Sequence, residues 1–166
     1  MRGQRCLHFT LGGEGFGVPI DEVREIVPVG AVSAVPLAPA TVRGVINIRG
    51  RVVTLIDVAR MHGREPAAVR LAEDRLAVVL VPPHDHLALY LHAPVEIADV
   101  STLQCEVAAS QQGAPSASHT FPGSPAGGRP VVAAGKVLHL LSVEGIVERC
   151  RDEILAGYLR SQGAAP

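Results

Sequence analysis

The stretch at residues 42–58, VRGVINIRGRVVTLIDV, constrains this chain more than any other part of it. Two arms rich in Val and Ile flank Arg49-Gly50-Arg51, so the chain reverses there as a β-hairpin. The pattern then returns near the C-terminus. Arg49-Gly50-Arg51-Val52-Val53-Thr54-Leu55-Ile56-Asp57-Val58 aligns with Ala134-Gly135-Lys136-Val137-Leu138-His139-Leu140-Leu141-Ser142-Val143, matching turn glycine, basic residue and the β residues that follow. Upstream, Val18-Pro19-Ile20 through Glu25-Ile26 aligns loosely with Leu89-Tyr90-Leu91 through Glu96-Ile97 at a shorter offset. The difference between the offsets is an insertion in the second half, where the Ala/Ser/Gly/Pro-rich residues 108–130 fall. Any two hairpins turning at glycine share part of this pattern, so two unrelated hairpins stay open as an alternative. If the repeat holds, the chain is two similar small β subdomains, residues 15–75 and residues 76–142 with strand 6–12. Each is too small to bury much alone, so the two must pack together and leave a seam.

The rest of the chain supports a mainly β reading. Gly (17) and Pro (13) punctuate short apolar runs, the texture of small barrels and sandwiches. Strands are expected at residues 6–12, 15–19, 31–35 (weak), 75–81, 86–92 and 95–100, with a last hairpin over 131–143. Ile20, Val23, Ile26 and Val27 follow helical spacing and predict one or two helical turns ended by Pro28. A short helix is expected over 57–62, ended by Gly63, and a longer one over 143–160 with Ile146, Cys150, Ile154, Tyr158 and Leu159 near one side. Residues 64–74 read as a polar linker. Residues 108–130 read as a mobile loop, having too few large apolar groups to offset the entropy of ordering.

Composition narrows the function. Apolar residues are 48% of the 166 and charged residues 19%, enough for a packed interior. Lys+Arg (15) nearly balances Asp+Glu (16), and aromatics are 3% with no Trp. A nucleic-acid surface needs a basic excess and stacking rings, and this chain supplies neither. No apolar run reaches the roughly 20 residues of a membrane span, and residues 1–5 do not open a signal peptide. Cys6, Cys105 and Cys150 are odd in number and far apart, as suits a reducing cytoplasm. The expectation is a cytoplasmic protein that meets a membrane only through a partner.

A catalytic constellation is hard to assemble. Gly12-Gly13-Glu14-Gly15 lacks the Lys-Ser/Thr and long helix of a phosphate cradle and reads as turn chemistry. His84, His86 and His92, with the cysteines, are the one set from which a metal-dependent sensor or enzyme could be built. His84 and His86 flank a hairpin turn, however, where polar residues belong in any case. Glu14, Glu22 and Glu25 read as a solvated face. No cofactor is expected, and no enzyme activity. Glu25 and Arg49 together would suit a charged rim around an apolar docking surface, although taken alone Arg49 and Arg51 read more simply as charges that solubilise a turn.

The residues Gly17-Val18-Pro19-Ile20-Asp21-Glu22-Val23-Arg24-Glu25-Ile26, followed by Val42-Arg43-Gly44-Val45-Ile46-Asn47-Ile48-Arg49-Gly50-Arg51-Val52-Val53-Thr54-Leu55-Ile56-Asp57, closely resemble the CheW family of chemotaxis coupling proteins. The family pattern is a V-x-E-I turn followed by G-x-x-N-x-R-G and an Asp seven residues on. The resemblance implies two five-stranded β-barrels packed side by side, with short helices and a C-terminal helix. It implies a non-catalytic adaptor joining the signalling tip of chemoreceptors to the regulatory domain of a CheA-type histidine kinase. Val23, Glu25, Ile26, Gly44, Asn47 and Arg49 fall on the family positions that shape or line the binding surfaces. Arg49 is expected to pair with Glu25. The second half departs from the pattern: His92 and Ser142 stand where the family has acids. A stand-alone binding module with an unrelated partner is the alternative reading.

Overall fold

The computed structural model describes residues 4–63, 75–92, 94–101, 129–133 and 135–162. The expected linker at 64–74, the loop at 108–130 and Cys105 lie outside the described residues. In chain order the elements are β1 (Gln4–Leu11), β2 (Glu14–Pro19), a 3₁₀ turn (Ile20–Glu22), β3 (Val23–Pro28), β4 (Val42–Ile48), β5 (Arg51–Asp57) and α1 (Val58–Met61). There follow β6 (Leu76–Leu80), β7 (Leu87–Leu91), β8 (Glu96–Ser101), β9 (Arg129–Ala133), β10 (Lys136–Leu140) and α2 (Val143–Gln162).

The strands form a closed five-stranded barrel, β1-β2-β10-β9-β8, and a five-stranded sheet, β3-β6-β7-β5-β4. The expected mainly β fold of two five-stranded units is therefore present, with one unit closed by hydrogen bonds. In the other, β3 and β4 are the two edges. Each unit joins a hairpin from one half of the chain to three strands from the other half. β1–β2 completes the barrel of β8, β9 and β10, and β6–β7 completes the sheet of β3, β4 and β5. The two strand orders correspond one for one, so the aligned sequence segments occupy equivalent places. Sheet membership thus runs across the chain division read at residue 75. Exchange needs a parallel junction on each side, and both are present: β5 lies parallel to β7 and β10 parallel to β2.

Three apolar clusters explain the exchange. One lines the barrel interior (Cys6, Val131, Ala133, Leu138), and one lines the sheet's inner face (Val53, Leu55, Ala77, Val79, Ala88, Tyr90). The third and largest lies between the two units. Along β6, Ala77 and Val79 face the sheet's own cluster while Val78 and Leu80 enter the shared one. Along β7, Ala88 and Tyr90 alternate with Leu89 and Leu91 in the same way. A strand buried on both faces reads as an unbroken apolar run, which is what LAVVL and LALYL are.

Helix ends follow the repeat too. Asp57 caps α1, its Oδ1 accepting from the Arg60 N–H at 3.1 Å. At the equivalent place Ser142 Oγ accepts from the Gly145 N–H at 3.1 Å. Ser142 departs from the acidic pattern yet does the same capping work. Val143, Ile146 and Cys150 of α2 enter the shared cluster. Ile154, expected on that side, is exposed. Among the described side chains the core ends at Cys150, those of Tyr158 and Leu159 lying outside them, and one turn on Glu153 takes a polar contact, accepting from the Thr41 hydroxyl at 2.5 Å.

Two local expectations are corrected. Residues 20–27 form a single 3₁₀ turn and then β3, which pairs antiparallel with β6. Val23, Ile26 and Val27 are β-branched, and a ladder with a waiting strand outweighs their helical spacing. Residues 31–35 contribute only an isolated bridge, Ser33 with Val45.

Candidate functional site

The β4–β5 turn is built from Asn47 to Arg51. Ile48 pairs with Arg51, leaving Arg49-Gly50 as a two-residue loop, and both loop residues have positive φ, 50° and 84°. These are the angles of a type I′ turn, which usually carries Asn-Gly. Asn47 supports it from outside the loop: its Oδ1 accepts from the Gly50 N–H at 2.8 Å. Arg49 holds a left-handed conformation that costs a non-glycine residue about 1 kcal/mol or more. A bulky cation in that position is not what the turn itself selects.

The turn points Arg49 across the open end of the sheet to Glu25 on β3, Nη2 to Oε2 at 3.3 Å. Arg49 is 81% exposed and Glu25 24%, so the arginine lies on top and the carboxylate beneath. Under the pair is a shallow groove of about 190 Å³ lined by Arg24, Glu25, Ile48, Arg49, Arg51, Val53 and Val79. Its apolar floor continues into the sheet's inner cluster, on which Ile48 packs. A second ion-pair set borders it. Asp85, in the β6–β7 connection, meets Arg24 Nη1 at 3.2 Å and Arg51 Nη2 at 2.5 Å, both through Oδ2.

The six residues singled out by sequence separate here. Glu25 and Arg49 come together as the groove's rim. Val23 packs on the shared core. Ile26 is exposed and alternates with Glu25 along β3, so it lies on the strand's other face. Asn47 shapes the turn. Gly44 makes a close crossing possible: a Cβ there would lie 2.5 Å from the Ser33 carbonyl oxygen and 2.7 Å from Val32 Cγ1. Ser33 and Val45 exchange both backbone hydrogen bonds at that crossing, at 2.9 and 2.8 Å.

Sequence reasoning did not single out Arg24, Asp85, Val53 or Val79. Arg24 reaches the rim because the β3–β6 register shifts between Val23 and Glu25, a bulge that nothing in VREIV announces. Asp85 arrives through the parallel β5–β7 pairing, which places the β6–β7 connection beside Arg51.

The other reactive groups do not converge. His84 and His86 lie before β7 and His92 after it, and the five residues of β7 span about 17 Å. Among the described residues, no three His, Cys, Asp or Glu groups come together in a metal-binding arrangement. Burial pushes the Cys6 thiol up, and burial with the nearby Glu153 charge pushes Cys150 to about 11. Both therefore stay protonated at neutral pH and are poor nucleophiles.

His92 has a different consequence. Its ring meets Tyr90 edge-on at 4.5 Å, and both ring nitrogens are buried without a hydrogen bond among the described residues. Burial lowers its pKa, with Arg43, Arg75 and Arg60 adding to the effect and Asp57 opposing it. The folded state therefore takes up a proton less readily than the unfolded chain, whose histidine titrates near 6.5. Stability is intact above that pH and falls below it, until the folded-state pKa is passed. Urea midpoints at pH 7.5 and 5.5 should show a larger loss for the native chain than for His92→Phe. Equal losses would assign the pH dependence elsewhere.

Comparison with known proteins places this geometry in context. A family model described as the CheW-like domain matches residues 5–151. A chemotaxis protein CheW of Treponema pallidum is 43% identical over 58 residues, 34% of each chain. A chemotaxis protein CheW of Klebsiella aerogenes is 35% identical over 78 residues, 47% of this chain and 46% of its own. The matched segments thus span less than half the length of these curated relatives. In fold, the chain is similar to the crystal structure of the scaffolding protein TtCheW from Thermoanaerobacter tengcongensis. The TM-score is 0.67 at 17% identity, over 88% of this chain and 93% of that one.

Proposed function

The chain belongs to the CheW-like domain family, and from that premise we propose that it is a non-catalytic adaptor coupling chemoreceptors to a CheA-type histidine kinase. The observation that carries this reading is Arg49, held in a left-handed turn against its own backbone preference and aimed over an apolar-floored groove. A residue kept in a strained, exposed position is better explained by what it meets than by what it stabilises. The relatives are chemotaxis proteins by name, and the structural neighbour is a scaffolding protein. The partners in this reading are the signalling tip of a receptor and the regulatory domain of the kinase. The protein would then work at a receptor array, held there by its partners. No described helix is long and apolar enough to cross a membrane.

The test is a titration of the purified chain with each partner fragment, using Arg49→Gly as the control. Relief of the left-handed strain offsets the lost ion pair and the added flexibility of glycine, so the variant's stability should stay within about 1 kcal/mol. Its binding should fall about tenfold from a micromolar starting value, near −8 kcal/mol. If neither fragment binds the folded native chain, the adaptor reading is wrong. A variant that binds as well as the native chain would move the site off this groove.

A further inference from the structure

Among the described residues, the charges bordering the groove are unequal in number. Three guanidiniums, of Arg24, Arg49 and Arg51, are matched against two carboxylates, of Glu25 and Asp85. The imbalance is local to Asp85, where two guanidiniums converge on one oxygen, Oδ2. Arg51 also donates to the Asp85 backbone carbonyl at 3.2 Å. In the free protein water screens the surplus, since both arginine side chains are more than 40% exposed. Once a partner covers the apolar floor of Ile48, Val53 and Val79, that screening is lost. A buried unmatched cation is costly, and a carboxylate brought by the partner removes the cost.

Resting on the adaptor reading above, we infer that this groove receives an acidic segment of the receptor tip. A glutamate or aspartate enters beside Arg24 and Arg51, and a neighbouring apolar side chain lies on Ile48, Val53 and Val79. The three polar residues that make this site come from different places. Arg24 is put on the rim by the β3 bulge, Arg51 by the hairpin turn, and Asp85 by the connection after β6. Asp85 keeps the two arginines together in the absence of a partner while neutralising only one of them. A segment presenting lysine or arginine would be repelled, and a wholly apolar one would leave the surplus charge buried.

The experiment uses the receptor signalling-tip fragment of the same genome as the probe. Each of its Glu and Asp residues is changed singly to Gln or Asn. Every version is titrated against the native chain and against the double variant Arg24→Gln/Arg51→Gln, with thermal melts as a fold check. At one carboxylate position the amide change should weaken binding to the native chain about tenfold. The same change should alter binding to the double variant less than twofold. Arg24→Lys/Arg51→Lys, which keeps both charges, should recover most of the affinity even if the double Gln variant folds poorly. If the native fragment binds and no single amide change weakens it more than twofold, the acidic-segment inference is overturned while the adaptor reading stands. A native fragment that does not bind at all overturns this inference and the receptor half of that reading together.

Discussion

Gly44→Ala is expected to destabilise the protein by about 3 kcal/mol or more, the sum of a steric and a backbone cost. The added Cβ would lie 2.5 Å from the Ser33 carbonyl oxygen, and Gly44 has φ 144°, which an L side chain adopts only under strain. The obstacle is backbone and cannot rotate away. Ser33 is held in place by its two hydrogen bonds to Val45, so yielding there opens the bridge between the β3–β4 connection and β4. Urea unfolding of the variant gives the loss directly. A change below 1 kcal/mol would mean that the crossing relaxes easily and that Gly44 has another role. Because Gly44 does not line the groove, its effect on partner binding should follow the fraction folded. This sets it apart from Arg49, where binding falls and stability holds.

Leu89→Ala should cost about 2–5 kcal/mol, the usual range for a leucine lost from a packed interior. Leu89 is fully buried on central strand β7 and faces the cluster shared by the two units. A cavity there weakens both at once. The variant should therefore still unfold in one transition, at a lower urea midpoint, with far- and near-ultraviolet signals changing together. Two separated transitions would show that barrel and sheet are independent units, contrary to the exchange of hairpins between them. The same change in one self-contained subdomain would produce that separation.

Much of the local structure was legible because its causes are local. The hairpin at Arg49-Gly50 follows from two β-branched arms around residues that turn, and the corresponding turn at Gly135 follows for the same reason. The short helix ended by Gly63 was legible in the same way, and the cap that the structure shows on it, Asp57 accepting from the Arg60 N–H, is an equally local interaction. The Arg49–Glu25 pair was also accessible, through the resemblance to a family whose motif contains both residues. Where the reading failed, two local rules competed. Residues 20–27 satisfy the spacing of a helix and the composition of a strand, and β6 decided between them. Ile154 shares a helical face with Cys150, but it lies exposed, one residue past the place where Glu153 meets Thr41.

The site was less legible than the fold for a related reason. Glu25 and Arg49 lie in one half of the chain, within a motif. Val79 and Asp85 lie in the other half, and the one reaches the groove and the other its bordering arginines only because β6 and β7 are inserted between β3 and β5. By itself the sequence determined most of the strands, the hairpin turns, the places of the two helices and the duplication, each set by interactions within a few residues or by the period of apolar side chains. Tertiary structure alone decided which strands the hairpins pair with beyond their own turns, because a strand with two apolar faces is satisfied by any neighbours that bury both. Only the shared core between barrel and sheet selects the exchanged pairing, and with it the convergence of Arg24, Arg51 and Asp85 at one end of the sheet.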